Sequence, residues 1–162
     1  MGFAMSKAAK PRVKVFNYGA HSASDYWILV TKPDIEAFKE LRSPRTAAHV
    51  VQSLWGQLEW YAEEQGNKLG SYFKQCPALA WIRDIANSAK HRALTDPQRQ
   101  VKHMGIQNTG ALAYGAAGGY DVPTGGYASS EPVVILDDGS EHRLIDLLPE
   151  IEAFWQVRFP CR

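Results

Sequence analysis

Ser43-Pro44 followed by an unbroken helical periodicity constrains this chain more than any other feature. Ala47, Val51, Leu54, Leu58 and Tyr61 recur at intervals of four, three, four and three residues, which is one face of an amphipathic helix. Serine ahead of proline is a start signal, because proline's fixed φ suits the first helical position and its missing N–H would have gone unpaired there anyway. The pattern predicts a helix from 44 to about 64, stopped by Gly66-Asn67. The next strong pattern supplies a partner for its apolar face. From Pro77, Leu79, Ile82, Ala86, Ala89 and Ala93 form an inner face with Ile85 beside them, ended by Asp96-Pro97. Alanine at three of these positions predicts close helix–helix packing.

Around this pair the chain reads as shorter pieces. Residues 1–11 form a flexible start, and Arg12–Phe16 alternates as a short strand would. The β-prone run Asp25–Val30 predicts a second N-terminal strand. A short helix follows from Pro33-Asp34 to Leu41, and another from Leu69 to Lys74. A weak strand is expected near Val101–Ile106. The stretch from about 105 to 130 holds seven glycines between Gly105 and Gly126, with Tyr114, Tyr120 and Tyr127, and reads as a mobile loop. Val133–Leu136 and His142–Ile145 flank Asp137-Asp138-Gly139-Ser140 as a hairpin. Asp146 is the expected cap of a last helix, Leu147 to Phe159, with Leu148, Ile151, Phe154 and Trp155 facing inward. The expected fold is therefore mainly α: a bundle of about four helices with a small β-hairpin and short N-terminal strands, in a single domain over 12–162.

Composition narrows the function classes. Hydrophobic residues make up 45% and charged residues 22% of the 162, enough for a real core and too apolar for a disordered chain. A net charge of +1 provides no global field toward nucleic acid or an anionic membrane. Locally, Arg83, Lys90, Arg92, Arg99 and Lys102 outweigh Asp84 and Asp96 by +3, whereas seven acids between Glu131 and Glu152 face only Arg143, a net of −6. These segments either pair with each other or meet partners. Two cysteines, Cys76 and Cys161, make neither a disulfide framework nor a zinc motif. No apolar run approaches the roughly 20 residues of a membrane span, and no signal-peptide core opens the chain. The start Met1-Gly2-Phe3-Ala4-Met5-Ser6 fits the loose myristoylation pattern, a match too cheap to carry weight. The expected compartment is the cytoplasm.

Trp81 to His91 is the stretch richest in chemistry. On a helix, Arg83, Asn87 and His91 lie four apart and stack along one face, turned away from the Ile82–Ala86–Ala89 seam, with Asp84 beside His91 two turns on. Histidine exchanges protons near neutral pH, and arginine holds phosphate and stabilises developing negative charge. Asparagine between them orients either. Such a set suits phosphodiester cleavage without a metal. The same residues also describe an ordinary solvated helix face, or one that fixes a neighbouring loop by hydrogen bonds.

Cys76-Pro77-Ala78-Leu79, then Arg83-Asp84-Ile85-Ala86-Asn87 and Lys90-His91, resembles a family of small, uncharacterised bacterial proteins with a C-P-x-L…R-D-x-A-N-x-x-K-H helix. Those proteins carry this helix after a long tryptophan-bearing one, and end in a D-G hairpin and a helix with F-W. Here Trp55 and Trp60, Asp138-Gly139 and Phe154-Trp155 occupy those places, so the resemblance covers roughly residues 40–159. It implies a shape and no activity. A looser similarity runs to HEPN domains, compact helical bundles that often dimerise and are in many cases ribonucleases. Their signature places four to six residues between an arginine and a histidine; Arg83 and His91 have seven between them. The departure bears on catalysis more than on fold.

The resemblance implies an RNA- or nucleotide-directed protein, a metal-independent ribonuclease of a defence or toxin system. His91 would be acid/base and Arg83 the phosphate clamp, with Asn87 and Asp84 positioning them. Lys90, Arg92 and Lys102 would contact the nucleic-acid backbone. The competing expectation is a non-enzymatic protein-binding or regulatory module, reached through the acidic C-terminal half. A homodimer is expected in either case, with no cofactor. His49, His91, His103 and His142 lack metal-ligand spacing, so no metal site is expected. The glycine pairs follow no phosphate-loop pattern, and Ser71, Ser88 and Cys76 stand in no nucleophile motif.

Overall fold

A computed structural model describes residues 19–90, 101–108, 130–136 and 138–160, as backbone alone at 88–90, 101–108 and 130–131. The expected strand at Arg12–Phe16, most of the glycine-rich loop and the end of the second long helix lie outside the described residues. What is described is mainly helical, with one small antiparallel sheet.

The first element overturns an expectation. Asp25–Val30 is helix, not strand. Ser22, in extended backbone, accepts a hydrogen bond from the Asp25 N–H at 3.0 Å and caps α1 (Ala23–Tyr26). The helix widens into a π-turn over Trp27–Thr31 and continues, with helical backbone at each junction, as α2 (Lys32–Glu40). Ala23, Trp27, Thr31, Ile35 and Phe38 are buried, whereas Ile28 and Leu29 are 59% and 53% exposed. Buried positions thus recur every three or four residues. A short, continuously apolar run hides that period, and burial against α3 overrides a weak β-propensity. The widened turn sits directly ahead of Pro33, whose ring in a regular α-turn would crowd the Leu29 carbonyl; the Lys32 N–H instead reaches the Trp27 carbonyl.

Helix α3 (Pro44–Gln65) begins and ends as predicted. Ser43 and Thr46 form a reciprocal capping box, and Gly66 ends the helix at φ +63°, a left-handed conformation that glycine adopts without strain. Its buried face exceeds the predicted seam, taking in Val50, Ser53, Trp55 and Gln57, because α3 is covered by α2 and the π-turn on one side and by α5 on another. Trp60 stacks on Tyr26 with ring centroids 5.2 Å apart. Short α4 (Gly70–Phe73) leads into α5 (Ala78–Lys90), whose Leu79, Ile82, Ile85 and Ala86 are buried as expected. The small Ala86 brings the two helices close enough for the Gln52 amide to donate to the Ala86 carbonyl at 3.1 Å.

β1 (Val101–Asn108), β2 (Ser130–Leu136) and β3 (Glu141–Arg143) form an antiparallel sheet in that order. Met104 lies opposite Val134, and Val134 opposite His142. Gly139 turns the β2–β3 hairpin at φ +84°. α6 (Leu144–Arg158) starts three residues earlier than predicted, and Asp146 is not its cap. Leu144 is fully buried and joins the core, so the helix begins there. Asp146 instead binds Arg143 through two hydrogen bonds of 2.7 Å, inside the first turn where a carboxylate complements the helix dipole.

Helix α6 closes the core with aromatic rings. Tyr61 meets Trp155 edge to face at 5.5 Å, and Trp155 stacks on Phe159 at 5.7 Å. Arg158 lies 3.5 Å above the Phe154 ring and donates to the Phe154 carbonyl at 2.7 Å. No helix among the described residues is long and apolar enough to cross a membrane.

Candidate functional site

Arg83, Asp84 and Asn87 all lie on α5, where the predicted helix places them. His91 and Arg92 lie outside the described residues, and Lys90 and Lys102 are described by backbone only, in α5 and β1. The α5 face is not the solvated surface that its polar composition suggests. Asp84 is only 2% exposed, and Asn87 is half-buried.

The centre of this face is an ion pair between neighbours in sequence. Adjacent residues on a helix diverge by roughly 100°, so Arg83 must fold back to meet Asp84. Its Nη2 lies 2.6 Å and its Nε 2.8 Å from the same carboxylate oxygen, Oδ1. The ring of Phe73 lies 5.0 Å from the guanidinium carbon, giving the charge a second, apolar support. The Arg83 side chain is 13% exposed and that of Asp84 3%. A partly desolvated ion pair of this kind fixes the direction of the arginine.

A second group near α5 was absent from the sequence reading. The β2–β3 hairpin sets the His142 ring against Trp81, with centroids 4.9 Å apart. Ser140 Oγ lies 3.4 Å from His142 Nε2 and donates to Asp138 Oδ1 at 2.6 Å. Serine, histidine and aspartate are all present, but the hydroxyl is bonded to the aspartate rather than poised on the histidine. This is a turn motif, not an activated nucleophile. The D-D-G-S-x-H spacing announces the turn; nothing local announces that it docks on Trp81.

Cys76 is buried, and burial first, then the Glu150 carboxylate beside it, push its thiol up to about 12, so it is neither a thiolate nor a nucleophile near neutral pH. Among the described residues, no three of histidine, cysteine, aspartate and glutamate come together to hold a metal ion. Glu152 pairs with Lys39 of α2 at 2.8 Å, and Asp146 with Arg143, so these two acids of the C-terminal half are engaged away from the basic segment.

Compared with protein-family models, with curated proteins and with solved structures, the chain matches none.

Proposed function

We propose that this chain is an RNA- or nucleotide-directed, HEPN-like protein whose α5 face engages phosphate, and that it acts as a metal-independent ribonuclease. The observation that carries this reading is the Arg83–Asp84–Phe73 arrangement. It holds a guanidinium between a carboxylate and an aromatic ring, with Asn87 one turn along the same face and His91 one turn further in sequence. In the reaction, His91 accepts the proton of a ribose 2′-hydroxyl as its oxygen bonds to the adjacent phosphorus. The bond from phosphorus to the 5′-oxygen then breaks, leaving a 2′,3′-cyclic phosphate, the leaving oxygen takes a proton from solvent water, and protonated His91 returns its proton to solvent. Arg83 stabilises the charge on the non-bridging oxygens. Asp84 acts through Arg83 as a positioning residue, a role its burial favours over contact with substrate. Lys90, Arg92 and Lys102 supply backbone electrostatics, and two copies pairing as a homodimer would place two such faces on one cleft.

The test is cleavage of end-labelled RNA in excess EDTA by the wild type, Arg83→Ala and His91→Ala, each with a thermal melt. Cutting by the wild type, reduced about 100-fold or more by His91→Ala with unchanged melting, is the expected result. A second reading is a non-enzymatic protein-binding module. The burial of Asp84 favours it, since an ion pair satisfied within the fold needs no ligand. Absence of cutting across structured and single-stranded RNAs, with Arg83→Ala merely lowering the melting temperature, would assign the pair to that reading.

A further inference from the structure

The helix that runs through α1, the π-turn and α2 buries one face and leaves the other exposed. Trp27, Thr31, Ile35 and Phe38 face inward. Outward, exposed residues come in adjacent pairs at every fourth position: Ile28 and Leu29, Lys32 and Pro33, Glu36 and Ala37, Glu40 and Leu41. Residues four apart are neighbours on a helix surface, so the pairs stack into two columns. One column is apolar: Leu29, Pro33, Ala37 and, just past the helix end, Leu41. The other is Ile28, Lys32, Glu36 and Glu40. Three of the four large apolar side chains exposed among the described residues, Ile28, Leu29 and Leu41, belong to this surface. A lone exposed leucine is ordinary. Apolar side chains aligned over about three turns mark a contact surface.

The charged column selects the occupant. Lys32 and Glu40 have no ion-pair partner among the described residues, and Glu36 meets Lys39 at 3.2 Å. Laid antiparallel on a second copy, with Pro33 opposite the other copy's Ala37, the helix sets Leu29 opposite the other copy's Leu41, and the two apolar columns meet. A two-fold axis brings like flanks together, so Lys32 of each copy lies between Glu36 and Glu40 of the other. The face is thus its own complement in both apolar surface and charge. An anionic lipid surface would instead meet two carboxylates for each unpaired lysine, and a strongly basic or acidic partner would meet a face of mixed sign.

We propose that this face is the contact of a homodimer, two copies pairing antiparallel through the π-turn and α2. It covers α3 on a different side from α5, so this pairing is distinct from one closed over α5 and stands apart from the reading of that face as an RNA site. A helix contact about 20 Å long lies at the small end of specific interfaces, which makes the dimer weak and concentration-dependent. Sedimentation equilibrium of the full chain tests it without any RNA. Expected is a mass that rises from one chain toward two, with Kd of about 100 µM or tighter. Leu29→Arg should weaken pairing about tenfold or more, because each copy would set a charge against the other's Leu41. Lys32→Glu should weaken it about tenfold, since two-fold symmetry counts each repulsion twice. Adding Glu40→Lys to that change should recover part of the loss, because the two introduced charges face each other across the axis. Both single changes fall on exposed positions, so melting of the dilute protein should hold. A mass of one chain throughout, pairing unmoved by Leu29→Arg and Lys32→Glu in folded protein, or a further loss on adding Glu40→Lys would overturn the proposal. So would a dimer broken by Asn87→Arg and not by Leu29→Arg, which would place the contact on α5.

Discussion

Among the described residues, a neutral polar cluster and an ion pair are both buried, and they solve the same problem differently. Between α1 and α3, Thr31, Ser53 and Gln57 are neutral and nearly inaccessible, and their hydrogen bonds run to one another and to backbone carbonyls. On α5, Arg83 and Asp84 are charged, with side chains 13% and 3% exposed. Burying a hydroxyl or an amide costs little once its partner is in place. Burying a charge carries a desolvation penalty that its counter-ion offsets only in part. A neutral cluster therefore stitches two helices at small expense, whereas a buried ion pair adds little net stability over apolar residues of the same volume.

The contrast is open to direct attack. The largest effect is expected from Asp84→Ala, which strands a largely buried guanidinium. Loss of about 3 kcal/mol in denaturant unfolding is expected, and Arg83→Met with Asp84→Leu should recover most of it. If the single change were as mild as a surface substitution, the pair would be no more than a surface contact. Gln57→Ala comes next, with about 2 kcal/mol lost, because it removes the partner of Thr31 and of the Ala23 carbonyl and leaves a small void. Thr31→Val keeps the volume and gives up one donor, so about 1 kcal/mol is expected by the same measurement. A result larger than that of Gln57→Ala would locate the stitch in the π-turn rather than in α3.

The smallest effect belongs to a third, exposed polar group at the hairpin tip. The Ser140 hydroxyl, then its backbone N–H, hold the Asp138 carboxyl below its ordinary range. A carboxylate whose folded pKa is depressed stabilises the fold above its unfolded pKa, and that contribution is lost as pH falls through the folded value. Ser140→Ala should raise the Asp138 pKa toward the ordinary value, read by NMR titration, with little change in melting at neutral pH. Buried ion pair, buried neutral cluster and exposed turn would then rank in that order.

Local rules were enough for much of this molecule. The capping box at Ser43, the glycine stop at Gly66, the α5 inner face and the hairpin turn at Gly139 each follow from contacts within a few residues, which is why they are legible along the chain. So is the co-facial spacing of Arg83 and Asn87. Asp25–Val30 was not read as helix although Ser22, three residues ahead of Asp25, caps it, because a short apolar run without alternation takes its geometry from what packs on it. Nor was the start of α6, which depends on Leu144 reaching a core that the hairpin alone does not reveal.

The sequence by itself determined which segments are helical around α3 and α5, where α3 starts and stops, and which residues on α5 share a face, since helical period and capping act over a turn or two. Only the tertiary structure decided that Asp84 is buried and holds Arg83, that His142 lies on Trp81, and that Ile28 and Leu29 face outward. Those are relations between groups on different elements or between a side chain and its solvent exposure. They depend on how helices approach one another, and the number of ways to arrange amphipathic surfaces exceeds what the order of residues along any one of them can specify.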